Sequence, residues 1–194
     1  MRPLNSTELS SFFSTNESRC WRIPTHSNSI IEITNKAKHI NGRRFFTFDR
    51  VFSEKSKTDA VYEGVAKNMI DSVMGGLNGT IFAYGQTSSG KTYTMQGGGS
   101  ADRDTEGIVH MAAKDIFHYI QKHTARNRDN SKIYCVRVSY IEIYNDEVRD
   151  LLVTKESGYN TSLDSHRRIF LDVNEMVVTS YDSLLDVLFA GEKK

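Results

Sequence analysis

The sequence predicts an α/β fold in which helices flank a central sheet of mostly parallel strands. Stretches with strand character alternate along the chain with stretches of helical spacing, which is typical of βαβ units. The short apolar run at residues 80–84 leads into a glycine-rich loop, as the buried strands of parallel sheets do. Residues 108–120 predict the clearest helix, because Ile108, Ala112 and Ile116 share one stripe.

The N-terminal part of the chain predicts short strands followed by one helix. Residues 1–40 are rich in Ser, Thr and Asn and favour short strands and loops. Residues 44–52 alternate aromatic and polar side chains, which favours a strand running into a turn. Residues 58–74 carry apolar side chains at helical spacing, and the pair Gly75-Gly76 predicts where this helix ends.

The middle of the chain predicts a loop, a strand and a short helical turn. Residues 97–106 are rich in glycine and charge, which predicts a flexible loop. Residues 132–144 are rich in Ile, Val and Tyr and predict the clearest strand, with Val136 and Val138 facing one way. Residues 147–152 favour a short helical turn.

The C-terminal part predicts an exposed excursion and then a strand followed by a helix. Residues 154–168 are polar and predict the excursion, and residues 176–179 predict the strand. Ser180 is a good N-cap for the last helix, whose leucines share one face, and Gly191 predicts its end.

The charge balance of the chain gives no reason to expect a nucleic-acid or membrane partner. Lys plus Arg number 25 and Asp plus Glu number 24, so the formal net charge is +1, and any polyanion must meet a local patch. No run approaches the ~18 apolar residues that a membrane-spanning helix needs, and the first residues do not resemble a secretory signal. Cys20 and Cys135 lie outside any metal or disulfide spacing, which favours a reducing, intracellular compartment, and Cys135 is predicted to be buried.

One stretch carries a chemical signature, the phosphate-binding pattern G-x-x-x-x-G-K-[ST]. It is matched in full by Gly85, Gln86, Thr87, Ser88, Ser89, Gly90, Lys91 and Thr92. The glycines let the loop turn backbone N–H groups inward around a phosphate. Lys91 can reach the β- and γ-phosphates as a point charge, and the hydroxyl of Thr92 can ligate Mg²⁺. The alternative, a Gly/Ser turn with an exposed lysine, fits the full match and its strand–helix context less well.

The loop alone does not identify the reaction, because hydrolysis usually needs a second Asp for Mg²⁺ and a group that positions water. The pattern D-x-x-G after the loop occurs at residues 104–107, but it follows a polar stretch and not an apolar strand. We interpret this match as accidental. The residues themselves therefore predict a phosphate cradle without a recognisable hydrolytic half.

Several stretches resemble the kinesin motor domain in the same order along the chain. Residues 80–95, T-I-F-A-Y-G-Q-T-S-S-G-K-T-Y-T-M, are similar to its phosphate-loop segment. Residues 2–5 (R-P-L-N), 48–52 (F-D-R-V-F) and 138–152 (V-S-Y-I-E-I-Y-N-D-E-V-R-D-L-L) resemble three further family elements. Residues 107–109 also match, although His110-Met111 stands where the family has Pro-Arg. The resemblance spans nearly the whole chain.

The resemblance implies a kinesin-type P-loop NTPase fold, ATP with Mg²⁺ as ligand, and movement along microtubules driven by ATP hydrolysis. It assigns the catalytic and phosphate-binding roles to Lys91 and Thr92. It places the ring of Tyr93 on the adenine, with Arg2 and Pro3 bordering the base from the other side. An aromatic ring suits this role, since stacking is geometrically simple, and the alternative is a tyrosine packed under the loop.

The chain departs from the family pattern at both ends. Neither switch string of the family, N-x-x-S-S-R-S-H or D-L-A-G-S-E, occurs in the sequence, and most of the first strand is missing. We therefore expect residues 1–194 to be a partial motor domain, truncated at both ends, that binds nucleotide at best and does not move alone. In the family the strand at 80–84 lies between two strands of the other half, so we expect it to be unpaired. The rival hypotheses are a non-hydrolysing nucleotide-binding remnant and another P-loop enzyme such as a small-molecule kinase.

The resemblance also bears on partners and location. It implies microtubules as the partner of the parent motor and a cytoplasmic, cytoskeletal location. Residues 76–79 and 191–193 are similar to the centromere-associated subfamily, which implies the spindle or the kinetochore. Within this chain the track-facing region is 154–168, whose basic residues could contact acidic tubulin weakly or belong to an ordinary solvated loop. These residues are Lys155, His166, Arg167 and Arg168. The sequence contains no heptad repeat, so it gives no argument for dimerisation.

Overall fold

The computed structural model describes eight segments of the chain: residues 21–23, 28–32, 45–98, 102–126, 133–153, 161–163, 169–171 and 173–192. The chain divides into two compact units, an N-terminal unit of residues 1–112 and a C-terminal unit of residues 113–194. None of the described helices is both long and apolar enough to cross a membrane.

Three short strands form an antiparallel sheet in the N-terminal unit. They are β1 (Trp21–Arg22), β2 (Ser29–Glu32) and β3 (Phe45–Thr47), in the order β1-β2-β3. The register places Ile30 opposite Phe46. The predicted strands in both regions are thereby confirmed, although β3 is shorter than residues 44–52.

The predicted helix at 58–74 is confirmed as one helical run with a wider turn inside it. It consists of α1 (Thr58–Val61), a π turn (Tyr62–Ala66) and α2 (Lys67–Met74). Its buried side chains, four residues apart, are Tyr62, Ala66 and Ile70.

The stop of this helix is the predicted Gly75-Gly76 pair. The N–H of Gly76 donates to the carbonyl of Val73 at 2.9 Å, and that of Leu77 donates to Ser72 at 3.1 Å. These two bonds form a Schellman motif, which satisfies carbonyls that the helix end leaves without partners.

The apolar run 80–84 belongs to no strand and forms no ladder with any described residue. Phe82 is 81% and Tyr84 is 96% exposed. Every ladder among the described strands is antiparallel. The run is thus unpaired, as its likeness to the family strand predicts, and the mostly parallel arrangement is not formed within the described part of the chain.

After the glycine-rich loop, the chain forms a short helix, a small two-stranded ladder and then the long helix. These are α3 (Lys91–Gln96), β4 (Gly97–Gly98), β5 (Asp102–Glu106) and α4 (Ile108–Arg126). β4 and β5 pair antiparallel, so the predicted flexible loop at 97–106 is wrong in part. Ladder pairing uses only backbone groups and therefore does not need the side-chain pattern that predicts a strand. The helix α4 is confirmed and extends beyond residue 120.

The C-terminal unit packs the rest of α4 against a two-stranded ladder and the last helix. The ladder pairs β6 (Val136–Val138) with β11 (Met176–Val178), and the helix is α5 (Tyr181–Glu192). The buried side chains of this core are Ala113, Phe117, Val178 and Leu184.

The predicted helical turn at 147–152 is wrong, because this segment is a strand of a hairpin. β7 (Ile141–Tyr144) and β8 (Glu147–Asp150) pair antiparallel. Between them Asn145 and Asp146 have φ of 50° and 62°. Asn and Asp tolerate this left-handed region better than other residues, and a two-residue turn of this kind matches the twist of a hairpin.

The carboxylate of Asp150 ties the end of this hairpin to the segment before β11. Asp150 is 8% exposed. It accepts hydrogen bonds from the N–H of Leu152 at 2.8 Å, the N–H of Asn174 at 2.6 Å and the side-chain amide of Asn174 at 2.9 Å. These bonds offset the cost of burying a carboxylate.

The start of α5 is predicted correctly and its end is not. The N–H of Ser183 donates to Oγ of Ser180 at 3.1 Å, and the N–H of Ser180 donates to Oγ of Ser183 at 3.0 Å. This reciprocal pair confirms Ser180 as the N-cap. The helix continues through Gly191 to Glu192. Gly191 is buried, and a β-carbon there would overlap the ring of Tyr140, so its role is close packing.

Two further expectations change in this unit. Cys135 is exposed and not buried, since it lies on the same side of the alternating pattern as exposed Arg137. The thiol of Cys135 and the carboxylate of Glu175 raise the pKa of Arg137. Within the predicted excursion lies β9 (Thr161–Leu163), which pairs antiparallel with β10 (Ile169–Leu171) just after it.

Candidate nucleotide-phosphate site

The glycine-rich loop connects the apolar run 80–84 directly to α3. Gly90 has φ 95° and ψ 16°, in the left-handed region that favours glycine. Ser88 also has a positive φ, 65°. The N–H of Thr94 donates to the carbonyl of Gly90 at 2.9 Å, which begins the hydrogen bonding of the helix. The loop is therefore a sharp reversal that ends at the first turn of α3.

The two ends of the loop touch each other. The N–H of Ser89 donates to the carbonyl of Gln86 at 3.1 Å. Gly85 approaches Ser89 so closely that a β-carbon would overlap its Oγ. Thr87 and Ser88, between these contacts, are exposed. The closed loop presents its tip to solvent.

The ammonium of Lys91 lies back over the loop. Its Nζ donates to the carbonyl of Gly85 at 2.9 Å and to the carbonyl of Gln86 at 2.9 Å. An ammonium has three donors, and two of them are held by these carbonyls. The positive charge is thereby placed over the loop and not released into solvent.

For the other predicted site residues the structure gives the exposure of two and does not describe the remaining two. Thr92 is exposed at the start of α3. Tyr93 is 48% exposed, so about half of its surface is open to solvent. Arg2 and Pro3 lie outside the described residues, so the proposed second wall of the base site is not tested.

Residues that could hold a metal ion on their own are absent from the described segments. No group of three or more His, Cys, Asp or Glu side chains comes together there. Mg²⁺ does not need such a cage, because it keeps several waters and binds through few protein oxygens plus substrate phosphates. The exposed hydroxyl of Thr92 beside Lys91 fits that donor set.

The basic residues of the predicted microtubule contact fall outside the described part of the chain. These are Lys155, His166, Arg167 and Arg168. Their grouping therefore stays a prediction.

The close backbone contacts at the C-terminal end of α3 were not predicted from the sequence. A β-carbon at Gly97 or at Gly107 would overlap backbone atoms of the opposite segment. The only signal was a glycine at each end of residues 97–107, which also fits a flexible loop.

The chain matches one family model and has many relatives. The model of the family described as "Kinesin motor domain" matches residues 1–194. "Kinesin-like protein KIN-7I" of Oryza sativa subsp. japonica is 40% identical over 148 residues, which cover 76% of this chain and 11% of that protein. "Centromere-associated protein E" of Homo sapiens is 39% identical over 196 residues, which cover 100% of this chain and 6% of that protein.

A solved structure also resembles this chain. It is described as "Structure of a fast kinesin: Implications for ATPase mechanism and interactions with microtubules", with 30% sequence identity and a TM-score of 0.80. The likeness covers 99% of this chain and 50% of the solved chain. The chain thus spans half of that structure and a much smaller share of the curated relatives, and the predicted fold class is confirmed.

Proposed function

We propose, from the premise that this chain belongs to the kinesin motor domain family, that residues 85–92 bind the phosphates of Mg·ATP or Mg·ADP in a microtubule motor ATPase. Members of this family hydrolyse ATP and bind microtubules. The observation that carries the proposal is the ammonium of Lys91, held over the loop at 2.9 Å from two loop carbonyls.

The geometry of the loop supports phosphate binding for an electrostatic reason. A lysine side chain free in solvent has many conformations, and ordering it on binding costs conformational entropy. Here the carbonyls of Gly85 and Gln86 hold the Lys91 ammonium over the loop. A phosphate that enters the loop meets a charge already in place, and charge-assisted hydrogen bonds of this kind are the strong ones.

The neighbouring side chains extend the site. We assign Thr92 as the protein ligand of Mg²⁺, which neutralises phosphate charge when bound. We assign Tyr93 as the stacking wall for adenine, because its half-exposed ring is accessible to a base. Arg2 and Pro3 are the proposed opposite wall on the ground of their likeness to the family motif.

A second candidate function is nucleotide binding without hydrolysis. The loop at residues 85–92 supports it as well as it supports the first, because a phosphate loop alone does not identify the reaction. The two functions differ in turnover: a motor ATPase hydrolyses ATP faster when microtubules are added, whereas a nucleotide-binding remnant binds Mg·nucleotide without hydrolysing it. Stimulated hydrolysis by residues 1–194 would eliminate the second candidate.

The microtubule contact within this chain is proposed for residues 154–168. Reversal of Arg167 and Arg168 to Glu should lower microtubule affinity of the full-length protein without changing nucleotide affinity, because the contact would be electrostatic. Co-sedimentation with microtubules at several salt concentrations measures this affinity. An unchanged affinity would show that residues 154–168 do not contact microtubules. We propose the microtubule cytoskeleton as the location, and more specifically the spindle or the kinetochore.

Replacement of the loop lysine tests the proposed function. Lys91→Ala should weaken binding of a fluorescent ATP analogue by about 2–4 kcal/mol, the usual loss for a buried charged contact. Lys55→Ala is the matched control, since Lys55 is an exposed lysine of the same unit, and it should bind as wild type does. Equal affinity of Lys91→Ala and wild type would show that the loop does not hold the phosphates.

A further inference from the structure

The helix that carries the proposed phosphate and base contacts is too short to hold its own position. α3 has six residues, and isolated helices shorter than about 12–15 residues are marginal in water. At about 1.5 Å per residue it is roughly 9 Å long. The contacts at its two ends therefore fix its orientation, and those at the C-terminal end involve two glycines.

That end is closed by Gly97. Its N–H donates to the carbonyl of Tyr93, and its φ of 100° and ψ of −166° lie in a region that is essentially restricted to glycine. A β-carbon at Gly97 would also overlap the carbonyl of Thr105 and approach the nitrogen of Gly107 to 2.9 Å. Two independent constraints thus require glycine here.

Gly107 approaches the same helix end from the other side. A β-carbon at Gly107 would overlap the carbonyl of Met95 and the backbone carbon of Gln96. These are backbone atoms, which cannot rotate away as the tip of a flexible side chain can. The carbonyl of Gly107 also accepts the N–H of Met111 at 3.2 Å, within the first turn of α4.

We propose that Gly97 and Gly107 are positioning residues of the nucleotide site, an inference that rests on the proposed function. Their backbone contact, the glycine clasp, sets the height and rotation of α3 against the start of α4. A side chain at either position pushes the helix end away, and because α3 has fewer than two turns, a displacement of this end reaches Lys91 and Thr92 at the other end. Residues 105–108 and the phosphate loop are therefore mechanically coupled.

Gly107→Ala in the full chain is the first test. We expect affinity for Mg·ATP and for inorganic tripolyphosphate to fall by a similar factor, about 10- to 100-fold, since small misplacements of binding groups cost this much. We also expect faster amide hydrogen exchange at residues 91–96 without nucleotide. Gly75→Ala is the matched control, because Gly75 is exposed with an ordinary φ of −80°; it should change neither quantity.

The readouts separate positioning from a general loss of folding. Circular dichroism and thermal melting define a temperature at which the variant is folded, and affinity and exchange are compared there. Unchanged affinity and exchange in folded Gly107→Ala would overturn the proposal. If wild type and Lys91→Ala both fail to bind ATP, the proposed function fails, and the exchange of residues 91–96 still tests the clasp.

A measurement on wild type keeps the proposal testable if Gly107→Ala does not fold. Because coupling is reciprocal, Mg·ATP should slow amide exchange at residues 105–108 as well as at 85–92. Slower exchange at residues 85–92 alone would show that the glycine clasp does not couple the nucleotide site to residues 105–108.

Discussion

The core of the C-terminal unit and the loop region of the N-terminal unit differ in where their groups find partners. In the core, Phe117, Val178 and Leu184 bury one another. In the loop region, Phe82 and Tyr84 face solvent, and the lysine of the loop is held by carbonyls only five and six residues away in sequence. The contrast teaches that the proposed site rests on locally held backbone, while the buried core lies elsewhere in the chain, as functional loops commonly show.

The largest expected effect is loss of the core. Phe117→Ala should cost about 3–5 kcal/mol of unfolding free energy, since it removes a buried ring and leaves a cavity. Urea unfolding followed by circular dichroism measures the loss. Phe189→Ala is the matched control, because Phe189 is 55% exposed in the same unit, and it should change stability by less than about 0.5 kcal/mol. Equal losses would contradict the assignment of the core.

The next effect concerns the buried carboxylate. Asp150→Ala should cost about 1–3 kcal/mol, because it leaves the N–H groups of Leu152 and Asn174 without their acceptor. Asp150→Asn keeps one acceptor oxygen and should lose less. Asp186→Ala, at an exposed site on α5, serves as control. A loss no larger than the control's would mean that water replaces the carboxylate.

The loop region should respond in binding and not in stability. Tyr93→Ala should weaken ATP binding by about 1–3 kcal/mol, the usual contribution of stacking on an aromatic ring, and leave tripolyphosphate binding unchanged. Titration calorimetry with both ligands measures this. The control is Tyr84→Ala, since Tyr84 is the exposed tyrosine just before the loop. Equal weakening for both ligands would remove Tyr93 from the base site.

The smallest effect is expected at the unpaired run. Replacement of Phe82 and Tyr84 by Ser should change unfolding free energy by less than about 0.5 kcal/mol, because both side chains are already exposed. Binding of a dye that reports exposed apolar surface should fall. A larger loss of stability would show that these rings are packed in solution.

The sequence predicts a structural feature when local residue types determine it, and fails when the rest of the fold determines it. The loop is predictable, since the proposed phosphate binding needs particular residue types at a particular spacing, and residues 85–92 match both. The N-cap at Ser180 and the stop at Gly75-Gly76 follow from local hydrogen bonding in the same way. Local rules of this kind act over a few residues and do not need the rest of the fold.

Other features depend on information that a short window does not hold. Residues 147–152 place Val148, Leu151 and Leu152 at spacings that fit a helix, and only the left-handed Asn145-Asp146 turn identifies the hairpin. Cys135 sits in an apolar run whose alternation becomes visible only in the strand. A glycine at positions 97 and 107 fits a flexible loop and a close approach of two backbone segments equally well. Only the backbone contact in the structure distinguishes the two explanations.

The contact between Asp150 and Asn174 has a consequence for how this chain can vary in length. It joins residues 24 apart in sequence, so the intervening segment departs from and returns to one anchored point. The entropy of closing such a loop grows slowly, by about 0.6 kcal/mol for each doubling of its length. Insertions between the two residues, such as an epitope or a fluorescent tag, should therefore be tolerated while the anchor is intact.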